Sequence, residues 1–490
     1  MPDPESRRAA SESFYTLRTG LLPGAVCRGT ACFVARHLRP SLWSDEQAPG
    51  VHCLGRCYDA PSRSGDTTRP GIRIHAHHGP VLERLAAGGA HSLAEYQSLG
   101  GYRALRMAIV GSPAAVLSSI DASGLRGRGG AGFPTGHKWK SFAEAVRSAG
   151  VGHIVANGDE GDPGAFVDRF LMEDDPFGVI EGLTLAALAT GARQGHLYVR
   201  AEYPGAARNL TSALEEARAS GLLGPRILGS TLDFDIQLTH GHGSYVCGEE
   251  TALLRSLEHR RPEVQTRPPH PTQQGFLGRP TLVNNVETLA NVPWIIRHGA
   301  PAFHALGVGS SRGTKVLSMT SLFRNPGLHE VEFGTSLRKI VEHHGGGLAD
   351  GSAVQGLLLG GPLSGVVFPK DFDTPLGFEE LSRISAGVGH GGVIAFDART
   401  CLTELAREVS RFATEESCGK CTPCRLGAPR LERLQAQSAT GTASEAQPTD
   451  EIEALSDALI QTSLCGLGRG LGQFTQSLLN RKPHRRPACQ

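Results

Sequence analysis

The chain has 490 residues, 39% hydrophobic and 20% charged, with a net charge of +1. That length implies two to four domains, because a single core seldom grows past about 250–300 residues. The apolar content excludes a disordered chain, and the near-neutral charge excludes a broad basic surface for nucleic acid. No run approaches the ~18 uninterrupted apolar residues of a spanning helix. The opening MPDPESRRAASESFYTL has no apolar signal core, so no membrane insertion and a cytoplasmic location are expected.

In chain order, residues 1–75 form a Pro-, Arg- and Cys-bearing head that closes in a linker-like patch, 62–71. Its cysteines fall in two pairs, Cys27-x4-Cys32 and Cys53-x3-Cys57. The pairs have the look of [2Fe–2S] ligands; a zinc clip or a vestigial, empty site are the alternatives. Residues 80–125 read as helices, with Ser112 as N-cap, Pro113 at the first helical position and Gly124 at the end. From 151 strands and helices alternate: strands at 151–156, 196–200 and 233–239, helices at 177–190, 206–220 and 249–258. Such alternation argues an α/β layer fold. Residues 312–400 read as a Gly-rich α+β unit with a helix at 336–344. From 402 to 480 the pattern is helical, with a low-complexity insert at 435–448.

Glycine is the compositional outlier, 63 residues, about twice the usual share. The loop Gly127-Arg128-Gly129-Gly130-Ala131-Gly132-Phe133 follows a predicted helix rather than a strand, so it lacks the context of a dinucleotide fingerprint. It reads as a backbone nest for phosphate with Arg126, Arg128 and Lys138 as cations, or as a plain surface turn. Phe133 and Trp139 either stack on a flat ring or belong to the core. Asn157-Gly158-Asp159-Glu160-Gly161-Asp162-Pro163-Gly164 ends the first strand of the alternating region, where open α/β sheets bind ligands. Its three carboxylates suit ribose hydroxyls, a divalent metal or a solvated turn. Tyr245, Gly248, Glu249 and Glu250 follow another strand; the two glutamates also suit a helix N-terminus as capping charge. Asn284, Asn285 and Thr288 open a further helix, where Asn is an ordinary cap.

Cys418-x2-Cys421-x2-Cys424 with Cys465 has the spacing of a [4Fe–4S] site, three thiolates on a tight loop and a distant fourth. Zinc is the rival. A cluster carries single electrons and a nicotinamide carries two, so a flavin is expected between them. Two other classes stay open: a non-enzymatic iron–sulfur scaffold, and a zinc hydrolase using His240 and His242.

The segments GLRGRGGAGFPTGHKW, ANGDEGDPGAFVDR, YVCGEETALLRSLE, LVNNVETLANVP, ESCGKCTPCRLG and TSLCGLG, in that order over about 100–475, resemble the NADH-binding flavoprotein subunit of respiratory complex I. The same module serves soluble NAD-dependent formate dehydrogenases and bidirectional NAD-reducing hydrogenases. The resemblance implies an FMN- and NADH-binding α/β domain at 80–311, an SLBB-like β-grasp domain at 312–400 and a helical [4Fe–4S] domain at 401–480. It implies that Gly127, Arg128, Gly129, Gly130 and Lys138 serve the FMN phosphate side. Asn157, Asp159, Glu160 and Asp162 serve the flavin and its ribityl chain. Tyr245, Gly248 and Glu249 line the flavin and nicotinamide site, with Glu160, Tyr245 and Glu249 nearest the reaction. Asn284, Asn285 and Thr288 complete the pocket, Phe133 stacks on the adenine side, and Glu250 lies near the adenine ribose. Cys418, Cys421, Cys424 and Cys465 hold the [4Fe–4S] cluster.

CRGTAC and HCLGRCYDAP make the head resemble the thioredoxin-like [2Fe–2S] subunit of the same complexes, truncated because only twenty residues separate Cys32 from Cys53. The implied activity is hydride transfer between NADH and FMN, then single-electron transfer through [4Fe–4S] to partners, namely a thioredoxin-like [2Fe–2S] subunit and a catalytic iron–sulfur subunit. Gly161-Asp162-Pro163-Gly164 and the fused head point toward a soluble formate dehydrogenase, with complex I or a hydrogenase as alternatives. Glu250, with no arginine after it until Arg255, implies NADH over NADPH.

Overall fold

A computed structural model describes residues 24–39, 50–65, 72–76, 79–440 and 447–479. The main elements in chain order begin with β1 (Val26–Cys27), α1 (Thr30–Leu38), β2 (Gly50–Val51) and β3 (Arg73–His75). Short helices lead to α2 (Pro113–Ser123), α3 (Thr135–Ala149), β4 (His153–Gly158), α4 (Val167–Asp174), α5 (Pro176–Thr190), β5 (Gln194–Val199), α6 (Pro204–Ala219) and β6 (Asp235–His240). Then come α7 (Glu250–Leu257), β7 (Thr281–Asn285), α8 (Val286–His298), β8 (Thr314–Met319), β9 (Gly327–Glu332), β10 (Gly356–Leu359), β11 (Val366–Val367) and β12 (Gly392–Phe396). The chain ends in α9 (Leu402–Glu415), α10 (Thr422–Thr440), α11 (Gln447–Thr462) and α12 (Gly466–Leu479).

A four-stranded, all-parallel sheet runs β6-β5-β4-β7. Its central strand β4 is buried along almost its whole length, as a parallel strand covered on both faces must be. Helix α5 is apolar all round and buried. Its Glu181 accepts from Tyr96 Oη at 2.6 Å and from the amides of Tyr102 and Leu105 at 2.9 and 3.0 Å, bonds that offset only part of the desolvation, so burial still raises its pKa. Helix α2 starts and stops where the sequence implies: Ser112 Oγ accepts from the Ala115 amide and Gly124 adopts φ +70°.

A six-stranded mixed sheet runs β11-β10-β12-β8-β9-β3. Strand β3 pairs in parallel with β9, Arg73 against Gly327. This corrects the sequence boundary of the head: residues 73–75 lie inside the span assigned to it, yet they finish the edge of this second sheet. The expected helix at 336–344 is a turn of α-helix, Leu337–Lys339, widening into a π-helix, Ile340–His344. The expected insert at 435–448 is helical at 435–440 and from 447, and its residues 441–446 lie outside those described. Helix α10 runs to Thr440 and α11 begins at Gln447, because Leu434, Gln435, Ala436 and Gln437 are good helix formers.

In the head, β1 and β2 pair in parallel around α1. The head packs into the rest of the chain: His37 meets Glu404 of α9 at 3.2 Å, and Tyr58 sets its edge on Phe166 and Phe170. Among the described residues no helix is long and apolar enough to cross a membrane.

Candidate functional site

The glycine loop is pinned at its base by paired backbone bonds, the Gly127 amide to Phe133 O at 2.9 Å and the Thr135 amide to Leu125 O at 2.9 Å. It lies over the start of α8: the Arg128 amide donates to Thr288 Oγ1 at 2.8 Å, and a Cβ on Gly129 would meet Asn285 Cβ at 2.9 Å. Gly130 sits at φ +112°, a conformation that favours glycine. The cations do not follow the sequence expectation. Arg128 is buried beneath the Phe333 ring, its guanidinium donating to Arg126 O and Arg312 O, and burial pulls its pKa down to about 10. Arg126 pairs with Glu379 at 2.6 Å. Lys138 Nζ meets Glu250 Oε2 at 2.6 Å and Val283 O at 2.8 Å. The side-chain charges thus hold the loop and its surroundings in place, and backbone N–H groups remain as the nest. Trp139 is core, fully buried with Nε1 on Asn284 Oδ1 at 2.9 Å, whereas Phe133 is 56% exposed.

The acidic loop leaves the end of β4. Asn157 is fixed by Nδ2 donating to Gly248 O at 2.9 Å and Oδ1 accepting the Asp159 amide at 3.0 Å. Asp159 is buried, and its Oδ2 has no partner. Desolvation therefore raises its pKa well above the ordinary carboxylate range. Glu160 is fully buried and accepts from the Asp168 and Arg169 amides and from Tyr203 Oη. Burial, then the neighbouring Asp168 carboxylate, pushes Glu160 up to about 7. Asp162 accepts from Tyr245 Oη at 2.6 Å. A Cβ on Gly161 would press on the same tyrosine ring at 2.8 Å.

Tyr245 also binds Glu416 of the cluster segment, amide to Oε2 at 2.9 Å, and packs edge-on against Phe412 of α9. It thereby ties the acidic loop to the residue two positions before Cys418. Glu249 caps α7, accepting from the Thr251 and Ala252 amides, and pairs with Arg267. Arg267 also lies 3.2 Å from Glu250. The sequence points only to Arg255 as an arginine near Glu250; the one that reaches it is Arg267, which returns from the loop after α7. Burial would raise Glu250, but Lys138 and Arg267 outweigh it and hold the carboxyl below its usual value. His240 and His242 are exposed and belong to no group of three metal-ligand atoms among the described residues, so the zinc-hydrolase alternative has no site.

The four C-terminal cysteines converge at the junction of α9, α10 and α12. Burial, then the nearby thiols, raises Cys424 to about 11; burial, with Cys418 and Cys424 adding, raises Cys465 to about 12. Four free thiols gathered in this way fit an iron–sulfur cluster, whose iron takes the thiolates. The head cysteines converge too. Cys27 faces Cys32 and Cys53, Cys53 faces Cys57, and all four are buried. Amides of Gly55 and Gly164 point at the sulfurs of Cys53 and Cys57 at 3.2 and 3.1 Å. Gly164 closes the acidic loop, so the head thiols abut the flavin loop. For a flavin, the fit rests on Asp159: its buried, unpartnered oxygen faces Gly248 across 3.7 Å from that glycine's Cβ position, where a ligand hydroxyl would satisfy it.

Residues 120–294 match the family model of the Nuo51 FMN-binding domain, and 404–485 that of the NADH-ubiquinone oxidoreductase-F iron–sulfur binding region. The chain is 44% identical to the NADP-reducing hydrogenase subunit HndC of Solidesulfovibrio fructosivorans, over 77% of this chain and 76% of that protein. It is 40% identical to the F-type NADH-quinone oxidoreductase polypeptide of Escherichia coli, over 74% and 81%. A crystal structure of an NAD+-reducing [NiFe]-hydrogenase in the H2-reduced state superposes with a TM-score of 0.80 at 28% identity, covering 97% of this chain and 86% of that one.

Proposed function

We propose the function from one premise: this chain belongs to the family of NADH-binding FMN and iron–sulfur flavoproteins that contains the F-type polypeptides of NADH-quinone oxidoreductase. It is an FMN-dependent NADH dehydrogenase module, an electron-entry component of the complex I or hydrogenase type. FMN supplies the conversion between two-electron nicotinamide chemistry and one-electron cluster chemistry.

The chain's own residues set the stage for that conversion. The amides of Gly129 and Gly130, beyond the two that pin the loop, receive the FMN phosphate, and Asn157 with the free oxygen of Asp159 receives the ribityl hydroxyls. Asn285 and Thr288 hold the loop against α8, and Asn284 anchors Trp139 of α3 beside it. Glu160, Asp162, Tyr245, Gly248 and Glu249 wall the nicotinamide side and exclude water. The Tyr245 bridge from Asp162 to Glu416 keeps that wall and the cluster segment in fixed register. Phe133, the exposed ring at the rim, covers the adenine, and Glu250 accepts from the ribose.

Glu250 also sets nucleotide choice. Glu250→Ala removes the carboxylate that repels a 2′-phosphate and frees Lys138 and Arg267 to meet it. The expected result is at least a tenfold rise in NADPH relative to NADH kcat/KM, the factor that ~1.4 kcal/mol represents. An unchanged ratio means that the carboxylate stands away from the ribose.

The finer reading concerns the head and the host. Four buried thiols with amide donors on two sulfurs support a [2Fe–2S] cluster in the head, held by Cys27, Cys32, Cys53 and Cys57. Because the head is part of the chain, the host needs no separate thioredoxin-like subunit on this face. The observation that carries the host reading is the 97% coverage against the NAD+-reducing hydrogenase, head included. It supports a hydrogenase-type NAD-reducing assembly over a quinone reductase. A soluble formate dehydrogenase, the reading that sequence alone favours, stays second on Gly161-Asp162-Pro163-Gly164.

The test is purification of the tagged chain with its partners from its own cell. Hydrogen-dependent NAD+ reduction is expected; formate-dependent reduction moves the assignment to the second reading, and NADH-driven quinone reduction contradicts both. In the isolated chain, ~6 iron should fall to ~4 when all four head cysteines become serine. An unchanged iron count contradicts the head cluster.

A further inference from the structure

Beneath the flavin pocket lies a buried charged group that the family motifs do not contain. His390, from the loop before β12, is 7% exposed, with Nε2 2.7 Å from Asp168 Oδ2 and 3.7 Å from Glu160 Oε1. Asn285 Nδ2 donates to the same Asp168 oxygen at 2.5 Å and lies 3.2 Å from His390 Nε2. Asp168 Oδ1 is taken by the Glu287 amide at 3.1 Å. The second sheet therefore reaches the pocket floor. A Cβ on Gly130 would stand 3.6 Å from Gly389, and one on Gly361 would stand 3.1 Å from Asp162.

Resting on the reading that the glycine loop and Asn285 hold FMN, we propose that His390 is the cationic positioning residue of the flavin site: its Nε2–H donates to Asp168, the carboxylate that also takes the Asn285 amide, and its charge favours the reduced cofactor. Hydride uptake adds a negative charge to the isoalloxazine unless a proton follows, and a cation held nearby in a dry site lowers that cost. The surroundings supply the means to keep the imidazole charged. Burial alone would depress it, but Asp168, Glu160 and Asp162 outweigh burial and raise it to about 9. The other charged groups packed around it are already engaged. Lys315 of β8, beside Gly391, is paired with Glu287 of α8, and Arg200 at the end of β5 is paired with Glu202 and with Glu160 O.

Glu160, Asp168 and His390 also bring three ligand atoms within 4.8 Å of one another, the spacing of a metal site. Their lone pairs, however, are met by N–H and O–H donors: three amides, Tyr203 Oη, Asn285 Nδ2 and the imidazole itself. A shared proton fits that donor set without breaking any of these bonds, whereas a metal would displace several.

The test is a spectroelectrochemical titration of the bound flavin against pH in the full chain, reading midpoint potential rather than activity. In the wild type the slope of potential with pH should change near pH 9, where the imidazolium discharges. His390→Gln should abolish that break and shift the oxidised-to-reduced ratio about tenfold toward oxidised at pH 7, ~30 mV for a two-electron couple. Asp168→Asn, which removes the main anion, should move the break downward. If the variants lose flavin, apo-protein melts serve instead. The stabilisation from His390 is full below its ordinary pKa of 6.5 and fades as pH rises through about 9, and His390→Gln should lose that dependence. A wild-type potential with no break near pH 9, a His390→Gln variant that keeps the wild-type potential, or a potential that moves on adding EDTA would overturn the proposal. Failure of the wild type to hold FMN would instead overturn the reading of the pocket.

Discussion

Cys421→Ala is expected to abolish the EPR signal of the reduced [4Fe–4S] cluster while leaving a substantial fraction of NADH-to-dye activity. The cluster needs four thiolates, and Cys421 is the middle one of the tight loop between α9 and α10. In the proposed function hydride transfer lies upstream, in the candidate pocket built from β4, α7, α8 and the glycine loop, none of which uses Cys421. A full cluster signal in the variant would show that another residue supplies the fourth ligand. Loss of dye reduction along with the signal would show that the flavin pocket depends on the cluster segment through Tyr245 and Glu416.

The largest stability effect is expected at Lys315. Its ammonium and the Glu287 carboxylate are both wholly buried and paired, and Glu287 also accepts the Val316 amide at 3.0 Å. The pair joins α8, whose N-cap is Asn285, to β8 of the second sheet. Lys315→Met strands a buried carboxylate, which typically costs about 3–5 kcal/mol. Replacing both, Lys315→Met with Glu287→Leu, removes the unpaired charge and leaves only the Val316 amide unmet, about 1–3 kcal/mol. Urea midpoints should therefore fall further for the single variant than for the double. Equal midpoints would mean that water reaches Glu287 once the lysine is gone.

Much of this molecule is legible in its sequence where one strand ends and one helix begins. Three strands and three helices of the α/β region can be drawn to within about two residues, because short apolar runs such as residues 154–156 mark the strands, and α2 carries its own stop signals, Ser112 and Gly124; helices α3 and α4 and strand β7 are not foreseen. The candidate motifs are local in sequence, so Asn157, Tyr245, Asn285 and the Cys418 loop stand out on inspection. What the sequence hides is what the chain brings from far away. Arg267 returns to Glu249 and Glu250 from the loop after α7, and nothing in its sequence context marks it. His390 sits between glycines 222 positions from Asp168, and only the docking of the second sheet reveals their contact. Arg128 illustrates the converse. It lies in a phosphate-loop context, yet its guanidinium is drawn under Phe333 by two backbone carbonyls. Strand β3 joins a sheet whose other members begin about 240 residues later, a pairing that three residues of sequence do not encode.

In the proposed function two electrons enter from NADH at the flavin and leave one at a time through the [4Fe–4S] cluster. An anaerobic NADH titration of the purified chain, followed by flavin absorbance and by EPR on the same samples, tests it most directly. The flavin band should bleach with NADH, and the reduced-cluster signal should appear in the wild type and be absent from Cys421→Ala, with flavin bleaching retained in both. A cluster signal that rises with NADH in protein stripped of FMN, or a flavin band that NADH leaves unbleached, would contradict the account.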